Sequence, residues 1–279
     1  AREALMLTRH RWKRGGIDQQ PYQIEQQFAP VPEWTDAPPV IAKGSKGLVY
    51  YSDGHCDPAI LEACRARLLT MGLPIVSATL APLAFGQNVV VAGERSPLTM
   101  FRQILAGLEA LETEYAFLVE HDVLYHPSHF KFSPRDDRTY FYNEHTWKVD
   151  ADTGRAVFYY TKQTSGLCAN RALLIAHYRE RIARVERDGF SRRMGFEPGT
   201  HRRPERIDDY PAERWMSAQP NVDIRHGANL TQSRWTPAEF RSPRACQGWA
   251  ESVAVPGWGI TKDRFRAFLA EHSAQEVAA

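Results

Sequence analysis

The stretch from Glu114 to His126, E-Y-A-F-L-V-E-H-D-V-L-Y-H, constrains this chain more than any other. Tyr115 to Val119 is a short aromatic and β-branched run, long enough for one buried strand and too short for a membrane span. It ends abruptly in Glu120-His121-Asp122. Unpaired charges buried at the end of a central strand are costly, so this end should open into a cleft or hold a cation. Acids two positions apart can both reach one hard metal ion if the chain turns there. The helical run before it makes an α/β unit whose strand delivers its polar end to a ligand crevice. The plainer alternative is a surface turn carrying two solvated acids.

The pattern on either side repeats that unit. Gly47 to Tyr51 is a strand candidate. A helix follows from Pro58, with Asp57 as N-cap and an apolar line through Ile60, Cys64, Leu68 and Met71. Pro74 to Ala78 and Asn88 to Ala92 are further strands, so the segment reads as βαβ with a parallel sheet. Ser52 and Asp53, just past the first strand, stand where a ribose or base would be held, or they simply make a turn. Ser96 caps the next helix. Arg95 and Arg102 lie near its beginning, where free N–H groups favour an anion. Solvated arginines are the alternative. Neither a G-x-G-x-x-G after the first strand nor a P-loop is present, which weighs against a dinucleotide fold and a P-loop machine.

Downstream, Thr139 to Thr161 reads as an aromatic hairpin around the Asp150–Gly154 turn, a core sheet or a platform for a sugar or base. A helix runs from Arg171 to about Asp188. Between Arg171 and Arg206 ten arginines face five acids, with Arg192-Arg193 and Arg202-Arg203 densest. Pro198, Gly199 and Pro204 make that region loop-like, suited to a phosphate-rich partner or to a merely solvated face. Asp208 and Asp209 stand at another expected helix start, and His226 ends a short strand from Val222. A last helix is expected from Lys262 to about Ser273.

Size and charge set the frame. The 279 residues, 43% hydrophobic and 24% charged, can bury a proper core. A formal net charge of +2 does not by itself argue for nucleic acid. The four cysteines lack paired-knuckle spacing, so reduced and mostly buried thiols are expected, with neither a zinc site nor a disulfide framework. No apolar run spans a bilayer, and the polar, basic start is unlike a signal peptide, so a cytoplasmic protein is expected. Residues 1–46 read as an irregular, proline-broken arm packed on the main domain. Residues 47–279 read as a single domain.

Together these pieces resemble a GT-A-fold glycosyltransferase of the broad family-2-like group, over roughly residues 47 to 230. The resemblance implies an α/β fold with a mixed, mainly parallel sheet flanked by helices. It also implies a nucleotide-sugar half at about 47–126 and an acceptor half at about 127–279. Glu120-His121-Asp122 matches the family's acidic metal motif with a departure at its first acid. Ser165-Gly166 takes the place of its small-residue segment, with one glycine replaced. The metal ligands implied are Glu120, Asp122 and His226, holding Mn²⁺ or Mg²⁺. The donor-binding set is Ser52, Asp53, Arg95, Arg102, His121, Ser165 and Gly166, with UDP-glucose favoured. For the base the first choice is Asp209, then Asp208, Glu197 and Glu213.

The chain is similar in character to the phage, bacterial and kinetoplastid relatives that glycosylate hydroxymethylated pyrimidines in DNA. That likeness implies an inverting enzyme using Arg192, Arg193, Arg202, Arg203 and Trp215 on DNA containing 5-hydroxymethylated pyrimidines, in the host cytoplasm if phage-encoded. No protein partner is implied. A surface-glycan or small-molecule acceptor is the alternative substrate. A non-catalytic nucleotide- or sugar-binding module is the alternative of a different class.

Overall fold

The computed structural model describes residues 6–13, 16–23, 45–259 and 264–273. In chain order the elements begin with β1 (Met6–Lys13), β2 (Gly16–Gln23), β3 (Lys46–Ser52), α1 (Pro58–Leu69), β4 (Ile75–Thr79), β5 (Gln87–Val90) and α2 (Pro97–Ala110). Next come β6 (Tyr115–Glu120), β7 (Val123–Leu124), α3 (Pro127–Phe130), β8 (Tyr140–Asn143), β9 (Thr146–Asp150) and β10 (Ala156–Phe158). The chain continues with β11 (Leu167–Asn170), α4 (Arg171–Asp188), β12 (Ala212–Trp215), β13 (Asn221–Arg225), β14 (Ala250–Ser252) and α5 (Phe265–Ser273).

The strands form two sheets. The main one has the order β12-β8-β11-β6-β3-β4-β5 and is parallel except at β11, which opposes both neighbours. This is the expected mixed, mainly parallel sheet flanked by helices. The second has the order β2-β1-β14-β10-β9-β13-β7 and is antiparallel except between β9 and β13.

Alternation along β3 and β6 explains the layering. Val49, Tyr51 and Leu118 face α2 and α4, packing with Phe101, Ile104, Leu108, Leu174 and Tyr178. Leu48, Tyr50, Phe117 and Val119 face the other way, against Leu68 of α1 and against Val123 and Tyr125. The second sheet buries Trp147, Val149, Val222 and Ile224 against Ile60 and Cys64 of α1 and Phe265, Phe268 and Leu269 of α5. Helix α1 therefore serves both cores. At Gly107 a Cβ would lie 2.5 Å from Val49 Cγ1, so α2 sits on β3 as closely as it does only because that side chain is absent.

The helix starts follow their caps. Asp57 Oδ1 accepts from Ala59 N at 2.9 Å, and Ser96 Oγ accepts from Thr99 N at 3.1 Å. Asn170 Oδ1 accepts from Ala172 N at 2.9 Å and Leu173 N at 3.3 Å. Asn170→Ala is therefore expected to lower stability by about 1 kcal/mol, read as a shift in urea midpoint at constant m-value. An unmoved midpoint would mean that the cap contributes nothing here.

Three expectations change. Residues 6–13 and 16–23, read as irregular, pair as antiparallel strands, with Thr8 opposite Glu251. Pro21 is tolerated because β2 is an edge strand. Residues 1–5, 14–15 and 24–44 of the expected arm, and 260–263, which include the expected start of the last helix, lie outside the described residues. The Asp208-Asp209 segment starts no helix. Tyr140 N donates to Pro211 O at 2.9 Å, and Ala212–Trp215 pairs with β8, so sheet pairing overrides the local helix signal. Tyr140–Asn143 joins the main sheet, leaving β9 and β10 as the aromatic hairpin.

One connection positions the site. Strand β6 ends in the middle of the main sheet, and β7 begins at the edge of the second. Glu120-His121-Asp122 is the crossing between them. The Asp122 carbonyl accepts from Ile224 N at 2.8 Å, tying the crossing to β13.

Candidate active site

Tyr51 of β3 lies opposite Glu120 of β6 in parallel register, so the chain leaves both strands on the same side. Ligand crevices in such sheets lie outside these carboxyl ends. A cleft of about 810 Å³ opens there. The end of β3 contributes Tyr51, Ser52 and Asp53, and the crossing contributes Glu120, His121 and Asp122. Arg95 stands at the start of α2, while Lys148, Asp223 and Arg225 come from the second sheet and Glu197 from the loop after α4.

The two crossing acids differ electrostatically. The Tyr51 hydroxyl donates to Glu120 Oε1. Burial, then the charge of Asp122, raises Glu120 well above the usual carboxylate range. Burial pushes Asp122 the same way, but the His226 ring, His121 and Arg225 outweigh it and hold Asp122 low. Asn229 Nδ2 donates to Asp122 Oδ2 at 2.7 Å, and His226 Nε2 lies 3.4 Å from the same oxygen. Neither His226 Nε2 nor His121 Nδ1 has a hydrogen-bond partner, although both atoms are buried.

Cations line the opposite side. Arg95 donates to Asp53 Oδ2 and to the Ala228 carbonyl, tying the end of β3 to the segment after β13. Burial favours protonated Asp53, but the Arg95 hydrogen bond and further neighbours hold its carboxyl low. Lys148 is buried, donates to Thr146 O at 3.0 Å and sits 4.4 Å from the centre of the Tyr159 ring. Burial pulls it down to about 8, against the pull of Asp223. Arg225 lies 3.4 Å from Asp223 Oδ1.

Among the residues singled out in the sequence, the cleft gathers Ser52, Asp53, Arg95, Glu120, His121, Asp122, Arg192 and Glu197. His226 joins through Asp122. Arg102 does not. It lies within α2, beyond the cap that Arg95 precedes, and donates to Glu186 of α4 at 2.7 Å on an exposed face. Ser165 and Gly166 are buried behind the wall that Gln163 and Thr164 form. Ser165 O accepts from Tyr125 Oη at 2.9 Å, and a Cβ on Gly166 would stand 2.7 Å from Asn143 O, so packing explains that glycine.

The acidic pair is also displaced. Asp209 is exposed and ion-paired to Arg203 outside the cleft lining. Asp208 Oδ2 meets His177 Nδ1 at 2.5 Å and accepts from Tyr140 Oη at 2.8 Å, an arrangement that holds a loop. Glu213 pairs with Arg135. Arg193 and Arg202 are exposed. Trp215 is no acceptor platform: it is buried, with Phe132 stacked at 4.3 Å and His129 at 5.3 Å. A ring filled on those faces by core neighbours offers nothing to a ligand.

Several cleft residues escaped the sequence reading. On β9, Lys148 lies between core-facing Trp147 and Val149, and on β13 Asp223 and Arg225 alternate with Val222 and Ile224. Period-two alternation would have aimed all three at one face. Cys56, outside the cleft lining, was missed as well. Its sulfur and one ring nitrogen each of His121 and His226 lie within 4.8 Å of one another, a set that the spacing in sequence conceals. All four cysteines are free thiols, three of them buried. Among the described residues no helix is long and apolar enough to cross a membrane.

No protein-family model and no curated protein matches this sequence. Among solved structures the chain is similar to the inositol-1-phosphate CTP transferase from T. maritima. That likeness has 12% identity and a TM-score of 0.41, covering 84% of this chain and 99% of that one.

Proposed function

We propose that the cleft binds a nucleotide sugar, UDP-glucose first among candidates, and that the protein transfers its hexose to an acceptor hydroxyl. The observation that carries this is the cleft's polarity. Buried carboxylates and unpartnered imidazole nitrogen stand at the end of a central parallel strand, facing Arg95, Lys148 and Arg225. Glu120, Asp122 and His226 are the residues that would hold a divalent cation, since two carboxylates and one imidazole suit Mn²⁺ or Mg²⁺. Glu120 would have to move to join them, because among the described residues the donors already gathered are Cys56, His121 and His226. Such an ion, when bound, offsets the charge that develops on the departing diphosphate.

The chain's own residues divide the remaining work. Ser52 and Asp53 hold the nucleoside, and Arg95 and Lys148 face the phosphates. Glu197 takes the proton of the acceptor hydroxyl as its oxygen bonds to the sugar's anomeric carbon. The bond from that carbon to the phosphate oxygen breaks, its electron pair leaves with the nucleoside diphosphate, and the configuration inverts. Asp209 lies outside the cleft in its pair with Arg203, and the role passes to Glu197. In this reading residues 47–126 supply the donor half and 127–279 the acceptor half of one domain.

The acceptor side rests on Arg192 in the cleft wall and on Arg193 and Arg202, exposed on the same basic loop. Charges of this kind position a phosphate backbone without reading sequence, as DNA carrying 5-hydroxymethylpyrimidines would require. The test offers several nucleotide sugars with Mn²⁺ to hydroxymethylated DNA, unmodified DNA and glycans. A sugar-sized mass gain on the hydroxymethylated nucleoside is expected, at a rate that falls steeply with salt. Transfer to glycan alone removes the DNA acceptor. Failure to bind any nucleotide sugar removes the transferase.

A further inference from the structure

The geometry points to a thiolate–imidazole site for a borderline-soft divalent ion, zinc or cobalt in chemistry, formed by Cys56, His121 and His226 at the rim of the cleft. The three come from separate parts of the chain. Cys56 lies in the loop between β3 and α1, where its N–H donates to Gly54 O at 3.1 Å and turns the chain back. His121 follows the last residue of β6, the parallel neighbour of β3. His226 follows the last residue of β13, which pairs with β7 just beyond the crossing. Strand pairing, not sequence proximity, brings their donor atoms within 4.8 Å of one another.

Independent observations single this cluster out. His121 Nδ1 is buried without a hydrogen-bond partner, and His226 Nε2, buried on a side chain only 9% exposed, has just the long 3.4 Å contact with Asp122 Oδ2. Buried ring nitrogens are costly to leave unpaired, and a lone pair on each is what a metal ion uses. Asp122 Oδ2 lies 3.4 Å from His226 Nε2 but outside the gathered set, where it accepts from Asn229 Nδ2. Sulfur with two imidazoles selects zinc-class ions over Mg²⁺, and three protein ligands leave the fourth position to solvent. Binding releases the Cys56 proton to solvent and moves the His226 ring proton to Nδ1. The long contact from Ala228 N to that nitrogen, 3.3 Å, then opens. The inference shares His226 with the transferase reading but does not need a nucleotide sugar to hold.

Cobalt titration of the reduced 279-residue chain, without nucleotide, tests it. One Co²⁺ per chain is expected, with thiolate-to-cobalt charge-transfer absorption in the near ultraviolet that equimolar Zn²⁺ removes. Cys56→Ser should abolish that band, and His121→Gln should weaken cobalt binding by at least about tenfold. Thermal melts of both variants confirm that they are folded. Absence of the band in the wild-type chain overturns the site, as does a band that survives Cys56→Ser. Nucleotide-sugar binding is measured separately by calorimetry. Manganese-dependent donor binding in a chain with no cobalt band would sink this inference and leave the transferase standing. A cobalt band in a chain that binds no nucleotide sugar would do the reverse.

Discussion

On the proposed reading, Glu197→Gln is expected to lower the rate of sugar transfer by about 10² to 10⁴, the usual contribution of a positioned general base, while UDP-glucose binding stays at the wild-type level. Glu197 lines the cleft from the loop after α4, and that loop is held firmly. Arg181, buried in the core, donates to Gly195 O at 2.7 Å, and Tyr142 Oη donates to Pro198 O at 2.7 Å. A carboxylate fixed on both flanks can meet an acceptor hydroxyl repeatedly in one geometry. Burial raises the Glu197 carboxyl above its ordinary value. A base works only when ionised, so activity falls as pH drops through the raised value. The acid limb of the rate profile therefore lies above the ordinary glutamate value of about 4.3. The amide cannot titrate, so the residual activity of Glu197→Gln should show no such limb. An unchanged rate would assign the proton to another group, with Asp223 the next carboxylate in the cleft.

Asp122→Asn is the second large effect. It removes a buried charge that its neighbours hold ionised, and it leaves the shape of the side chain unchanged. Metal-dependent affinity for the nucleotide sugar should fall by about 10²-fold or more, beyond the loss that supporting partners alone produce. Quenching of tryptophan fluorescence on donor titration, with Mn²⁺ and with chelator, reads the change. Wild-type protein should bind donor much more tightly with Mn²⁺ than with chelator, and the variant should show nearly equal weak binding in both. The melting temperature separates this from misfolding. A variant that keeps its full manganese response would detach Asp122 from the ion.

The parts legible in the sequence were those set locally. The run Tyr115–Val119 became the central strand because nothing but burial suits it, and its abrupt charges marked the crevice. Asp57 and Ser96 announced two helices through caps that act within a single turn. What escaped was set by pairing between distant segments. Asp208 and Asp209 carried a helix-start signal that the edge of β8 overrode. An aromatic residue such as Trp215 reads alike whether Phe132 covers it or a ligand does, and only packing decides. Arg102 and Arg95 looked equivalent in the sequence, yet Arg102 turns to Glu186 while Arg95 faces the cleft. Cys56 was unreadable as a ligand because its companions arrive by way of β6 and β13.

On the proposed reading, the crevice at the ends of β3 and β6 is the donor site. A crystal structure with UDP-glucose and Mn²⁺ bound tests it most directly. Uridine is expected against Ser52 and Asp53, the diphosphate between Arg95 and the Asp122–His226 pair, and the sugar's anomeric carbon turned toward Glu197. A nucleotide bound outside this cleft, or a diphosphate remote from both Arg95 and Asp122, would contradict it.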